Sequence, residues 1–195
     1  MHGDSLRLAD CPSYAIDPAP LVYGHFDGRF TFFRMTSDEF FATRVDDVKH
    51  PIDLAFIDGM HLSEFALRDF MNIERFLSND HTVVVFDDVL PRNQEEANRI
   101  QCPGDWTGDV WEVFYVLKAR RPDLHVQLVN TEPTGTMVVS DLSPGSTRLA
   151  QEYFNITNDM LLQTDGVPDA ILNRLEARDP ADVLITLTFE MSTWE

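Results

Sequence analysis

Two stretches decide the fold class: Ile52-Asp53-Leu54-Ala55-Phe56-Ile57-Asp58-Gly59 and Thr82-Val83-Val84-Val85-Phe86-Asp87-Asp88. Each is a short, nearly continuous apolar run, as expected of a parallel strand covered on both faces, and each stops at carboxylates. Between them Leu62, Phe65, Ala66, Phe70, Ile73 and Phe76-Leu77 fall on one stripe at helical spacing. Strand, amphipathic helix and strand in succession read as a crossover unit of an α/β fold.

The same alternation continues outward. Upstream, Ser13 to Ile16 reads as a strand ending at Asp17-Pro18, and Arg29 to Met35, rich in Phe and Thr, as another. A helix start follows at Thr36-Ser37-Asp38-Glu39, with Phe40, Phe41 and Val45 on its inner face. At the front, Asp4 or Ser5 caps a short helix bearing Leu6, Leu8 and Ala9. Downstream, Trp106 to Arg121 reads as a helix stopped by Pro122. Leu124 to Val129 and Thr136 to Ser140 are strands joined by the turn Glu132-Pro133-Thr134-Gly135, a link too short for a parallel crossover and therefore an antiparallel hairpin. Helical patterning returns around Arg148 to Phe154 and Pro168 to Leu175. The expectation is a mostly parallel sheet with a closing hairpin over residues 1–142. A helical extension over 143–195 packs on the same domain or builds a homo-oligomer contact.

The charge balance narrows the function. Of 195 residues, 15 are Lys or Arg and 33 Asp or Glu, a formal net charge of −18. Neutralising nucleic-acid phosphates or an anionic membrane surface needs clustered cations, and the only lysines are Lys49 and Lys118. Neither partner is expected. Cys11 and Cys102 lack the spacing of a zinc site or redox pair. No basic head with an apolar run opens the chain, and no apolar run is long enough for a membrane span. A cytoplasmic protein is the expectation.

Carboxylates stand at three strand ends: Asp17, Asp58 and the pair Asp87-Asp88. In an open α/β sheet those ends face the ligand crevice. Acids gathered there repel unless ribose hydroxyls, a cation or basic groups offset them, and hard oxygen ligands suit magnesium, manganese or calcium. Taken singly, Asp17 before Pro18 is equally a strand-ending turn, and Asp87-Asp88 a solvated one. His61, three residues past Asp58, reaches the same rim as a proton-transfer group or serves as a capping or packing histidine. Trp106 and Trp111 line a pocket beside the rim or belong to the core. Arg92 and Asn93 touch an anionic or hydroxylated substrate or remain exposed loop residues.

The block Asp53-Leu54-Ala55-Phe56-Ile57-Asp58-Gly59-Met60-His61, then Arg68-Asp69, then Val84-Val85-Phe86-Asp87-Asp88-Val89-Leu90-Pro91 resembles the class I S-adenosylmethionine-dependent methyltransferases. It looks closest to the metal-dependent branch that methylates oxygen in cephalosporin biosynthesis and on macrolide sugars, and the likeness runs from about Gly3 to Leu142. The resemblance implies a Rossmann-like sheet with helices on both faces. It implies two cofactors, S-adenosyl-L-methionine and a divalent cation such as Mg²⁺, and a small hydroxylated acceptor. Carried over by position, Asp17 holds the cofactor ribose, Ser37 and Asp38 sit near the adenine, and Gly3, Asp58 and Gly59 contact the cofactor. Asp58, Asp87 and Asp88 bind the cation, and His61 is the candidate base.

The resemblance also implies an N-terminally incomplete domain. Family members begin with a strand and a glycine-rich turn; Gly3 corresponds to the last glycine of that turn, and the first strand is missing. A start placed too late is the favoured reading. The alternative is a catalytically impaired methyltransferase-like domain serving as a dimerisation or regulatory module. A nicotinamide dehydrogenase fits worse, because no GxGxxG is present and hydride transfer needs no clustered carboxylates.

Overall fold

The computed structural model describes residues 4–21, 30–163 and 165–184. The chain divides into two compact units, Met1–Lys49 and His50–Glu195.

In the first unit a four-residue helix, α1 (Asp4–Arg7), precedes the parallel strands β1 (Ser13–Ile16) and β2 (Phe30–Phe33). Helix α2 (Ser37–Thr43) begins where the sequence places it: the Thr36 hydroxyl accepts the Glu39 N–H at 3.2 Å, the capping arrangement that Thr-x-x-Glu favours. Phe33, Phe40 and Phe41 are buried, with the Phe33 and Phe40 rings 4.9 Å apart. Ile16 and Phe33 lie opposite each other in register, so Asp17 and the Thr36–Asp38 segment leave the carboxyl end of the same strand pair.

The second unit holds a four-stranded sheet of order β3-β4-β6-β5, made of β3 (Leu54–Ile57), β4 (Val83–Phe86), β5 (His125–Val129) and β6 (Thr136–Ser140). Strands β3 and β4 pair in parallel, while β6 runs antiparallel to both β4 and β5. Three strands therefore point one way and only β6 is reversed, matching the expected mostly parallel sheet and closing hairpin. Helices cover both faces. On one side the Phe86 ring of β4 meets Phe70 of α3 (Ser63–Phe76) at 5.9 Å. On the other, Val83, Val129 and Val138 pack with Val183 from helical residues 180–184.

The stripe on α3 is buried in part: Ala66, Phe70, Ile73 and Leu77 face the core, but Phe76 is exposed and Leu67, outside the expected stripe, is buried. Leu67 and Phe70 are fully buried and Ala66 and Ile73 nearly so; each large apolar side chain so covered contributes about 1.5–3 kcal/mol. A polar anchor accompanies it. Arg121 is fully buried and forms two 2.7 Å hydrogen bonds to the Glu74 carboxylate of α3. It follows α4 (Glu112–Arg120) directly, and Glu74 also accepts the Ser143 N–H, so one ion pair joins three segments. Helix α5 (Arg148–Leu162) packs against α3 and α4, and α6 (Asp169–Leu172) follows it.

Two expectations are corrected. Strand β3 is covered on one face only: Ala55 and Ile57 are buried, whereas Leu54 and Phe56 are exposed. It pairs with β4 alone among the described residues. The helix expected from Trp106 begins instead at Glu112. Gly108 holds a left-handed φ of 58°, and a Cβ there would stand 1.7 Å from the His61 carbonyl oxygen, so residues 106–111 form an irregular loop pressed against the start of α3.

Candidate active site

Three side chains converge beyond the carboxyl ends of β3 and β4. His61 Nε2 lies 3.3 Å from Asp58 Oδ1 and 3.1 Å from Asp88 Oδ2. Among the described residues these three offer ligand atoms within 4.8 Å of one another. They border a pocket also lined by Gly59, Asp69 and Asp87. His61 and Asp88 both have left-handed backbones, φ 55° and 59°. Non-glycine residues held that way cost about 1–3 kcal/mol each and persist only where their surroundings enforce them.

The surroundings of His61 are supplied by the 106–111 loop. Its Nδ1 lies 2.7 Å from the Trp106 carbonyl oxygen. A carbonyl can only accept, so Nδ1 carries a proton and Nε2 is the nitrogen left to react. The Trp106 indole stacks on the imidazole, centroids 5.1 Å apart and planes within 18°. Gly108 closes on the His61 carbonyl from the backbone side. The next residue, Asp109, accepts the Ser63 N–H at 2.7 Å. This satisfies one of the open donors at the start of α3, where Leu62 offers no capping side chain.

Arg99 bridges Asp109 and Glu64 and ties this loop to α3. Glu112, hydrogen-bonded to the Ser63 hydroxyl, is pushed up to about 7 by burial and then by the Asp109 charge.

Asp88 is held from the other side. The Leu90 N–H donates to the Thr134 carbonyl at 2.7 Å, and the Val89 N–H donates to the Gly135 carbonyl. A Cβ on Gly135, whose φ is 66°, would meet Leu90 at 2.4 Å, so the turn and the post-β4 segment interlock.

Burial raises the Asp88 pKa, and the His61 charge partly offsets it. Burial likewise pulls His61 down, but the Asp58 hydrogen bond, the Asp88 charge and the Trp106 carbonyl outweigh it and leave its pKa above 6.5. Two carboxylate oxygens and an imidazole lone pair this close require a positive centre among them. The centre is a proton on Nε2 or a cation in its place. Oxygen, oxygen and imidazole nitrogen are a donor set that fits a hard divalent metal.

The structure thus joins Asp58, Asp88 and His61 but leaves Asp87 outside the group. Asp87 Oδ1 accepts the Asp88 N–H at 3.0 Å, and burial with the Asp88 charge raises its pKa to about 6. Gly59 borders the pocket. Asp17, Ser37 and Asp38 belong to the first unit; Asp17 Oδ1 accepts the Ala19 N–H at 2.7 Å, and Ser37 and Asp38 open α2. Gly3 lies outside the described residues. Trp106 serves His61, whereas Trp111 is core, edge-on to Tyr115. Arg92 is engaged by Glu96 and Asp105, and Asn93 caps the N–H groups of Glu95 and Glu96. Sequence reasoning gave no site role to Gly108 or Asp109, although Thr107-Gly108-Asp109 is the kind of short polar cluster that marks a loop.

Comparison with known proteins bears on the part of the chain that carries Asp58, His61 and Asp88. Residues 8–89 match the family model described as a methyltransferase domain, so the likeness read from the sequence holds for the segment spanning β1 to β4. Among solved structures, the chain is similar to a proposed O-methyltransferase from Klebsiella pneumoniae, at 20% identity and a TM-score of 0.43, covering 60% of this chain and 52% of that one. The chain thus spans about half the length of the solved structure it matches. No curated protein matches the sequence.

Proposed function

We propose that the chain is an S-adenosylmethionine-dependent methyltransferase that methylates a hydroxyl of a small molecule with the help of a divalent cation. The observation carrying this reading is the Asp58–His61–Asp88 group, with His61 Nδ1 fixed on the Trp106 carbonyl, within a methyltransferase-family segment. Asp58, Asp88 and His61 Nε2 would hold the cation, which supplies charge to lower the pKa of the acceptor hydroxyl and align it. S-adenosylmethionine would supply the methyl group, the new oxygen–carbon bond replacing its carbon–sulfur bond, and the hydroxyl proton would pass to solvent water.

The chain's own residues set the stage. The Trp106 carbonyl keeps the His61 ring in one tautomer and Trp106 covers one face of it. The 131–135 turn braces the segment after Asp88 through the Thr134 and Gly135 carbonyls. His61 Nε2, free of the proton it otherwise carries between the two acids, completes the donor set. Asp17 suits the cofactor ribose hydroxyls, and Ser37 and Asp38 suit the adenine edge, since both segments leave the same end of the β1–β2 pair.

The test is transfer of an isotope-labelled methyl group from S-adenosylmethionine to polyhydroxylated small molecules. Transfer abolished by EDTA and restored by Mg²⁺ supports the reading. Transfer indifferent to EDTA removes the cation from it, and no transfer to any acceptor removes the enzyme.

A further inference from the structure

The C-terminal segment, outside the family match, reaches back to the acid rim through one side chain. Arg174 stands just past α6 with a left-handed φ of 54°, and its side chain is only 15% exposed. Its guanidinium donates to the Asn130 side-chain oxygen at 2.6 Å, to the Thr131 carbonyl at 3.1 Å, to the Leu90 carbonyl at 3.5 Å, and to the Pro133 carbonyl. One planar fork thus ties the segment after β4, two residues beyond Asp88, to the turn that carries Thr134. A second tie runs parallel to it: Gln94 and Val167 exchange hydrogen bonds at 2.9 Å each way, holding the post-β4 loop to the chain just before α6. The backbone bonds from Leu90 and Val89 to Thr134 and Gly135 join the same two segments.

We propose that Arg174 is a positioning residue for Asp88, clamping Leu90 to Pro133 so that the 131–135 turn holds the segment after β4 and, with it, the left-handed backbone that sets Asp88 beside His61. The inference rests on the reading of Asp88 as a cation-holding residue. A lysine cannot replace the fork, because its single ammonium does not span carbonyls on separate segments. Groups that orient a metal-holding side chain are worth about 10- to 100-fold in metal affinity.

The experiment follows Mn²⁺ binding by electron paramagnetic resonance, together with amide hydrogen exchange, in the full chain and in Arg174→Gln and Arg174→Lys. Both Arg174 variants should bind Mn²⁺ about tenfold more weakly and exchange the Val89 and Leu90 amides faster, with the β3–β4 amides unchanged. Arg174→Lys keeps the positive charge and the aliphatic stem, and it carries the test if Arg174→Gln fails to fold. Wild-type affinity in Arg174→Gln or Arg174→Lys overturns the proposal while leaving the cation reading intact. A wild-type chain that binds no Mn²⁺ overturns the cation reading and the proposal with it.

Discussion

His61 Nε2 stands 3.1 Å from Asp88 Oδ2, and both residues hold left-handed backbones that glycine or asparagine would adopt more readily. Neither is needed there to fill the core. The strain is enforced by loops of different origin, the 106–111 loop behind His61 and the 131–135 turn behind Asp88. Strained residues braced from two sides and facing each other are the signature of a preorganised site.

The geometry separates two neighbouring acids. Asp88→Asn should keep the fold, because asparagine tolerates a φ near 59°, but reduce cation-dependent methyl transfer by at least about 100-fold. Asp87→Asn should retain most activity. Equal losses in both variants would place Asp87 in the cation group after all.

Holding a cation on His61 requires Nε2 to lose its proton. The His61 pKa lies above 6.5, so Mn²⁺ affinity should fall as pH drops from 8 to 6, by about tenfold or more. Calorimetry in two buffers of different ionisation heat reads the released proton directly. An affinity flat across that range would take His61 out of the donor set.

Gly108 is a steric key for His61. Gly108→Ala combines a left-handed φ with a Cβ driven into the His61 carbonyl. The conformation alone should cost about 1–3 kcal/mol in a denaturant titration, and Mn²⁺ binding should weaken as His61 shifts. Wild-type stability in that variant would show that the loop does not press on residue 61.

Glu112 makes stability pH-dependent. Its folded pKa, about 7, is raised from an ordinary 4.5 by burial first and then by Asp109. The unfolded chain ionises it more readily, so its contribution is fully present below about 4.5 and is lost as pH rises through 7. Glu112→Gln should therefore stabilise the protein at pH 8 by about 1–3 kcal/mol, or roughly 2–4 °C of Tm per kcal/mol, and have little effect at pH 5. A variant less stable at pH 8 would mean that the ionised carboxylate is well paired.

Much of the sheet was legible because apolar runs ending in acids leave few alternatives: β1 matches its expected span, and β3 and β4 fall inside theirs. The half-exposed face of β3 was not legible, since Leu54 and Phe56 read as core on hydrophobicity alone and their exposure depends on which neighbours cover the strand. The start of α4 was misread because Trp106 to Arg121 carries helical residues throughout. What ends the helix early is the contact of Gly108 with a residue 47 positions upstream, which local pattern cannot register. In the site, Asp58, His61 and Asp88 were visible as residues. Their grouping without Asp87 was not, since it depends on the left-handed turn at Asp88. Arg174 left no local signal: its partners lie some 40 and 84 residues away.

The most direct test of the account is calorimetric titration of the full chain with S-adenosylmethionine and with Mg²⁺, each alone and in the presence of the other. Saturable binding of both, with Mg²⁺ binding lost in Asp88→Asn and S-adenosylmethionine binding retained, is the predicted result. No heat with S-adenosylmethionine under any condition, or Mg²⁺ binding unchanged in Asp88→Asn, would contradict it.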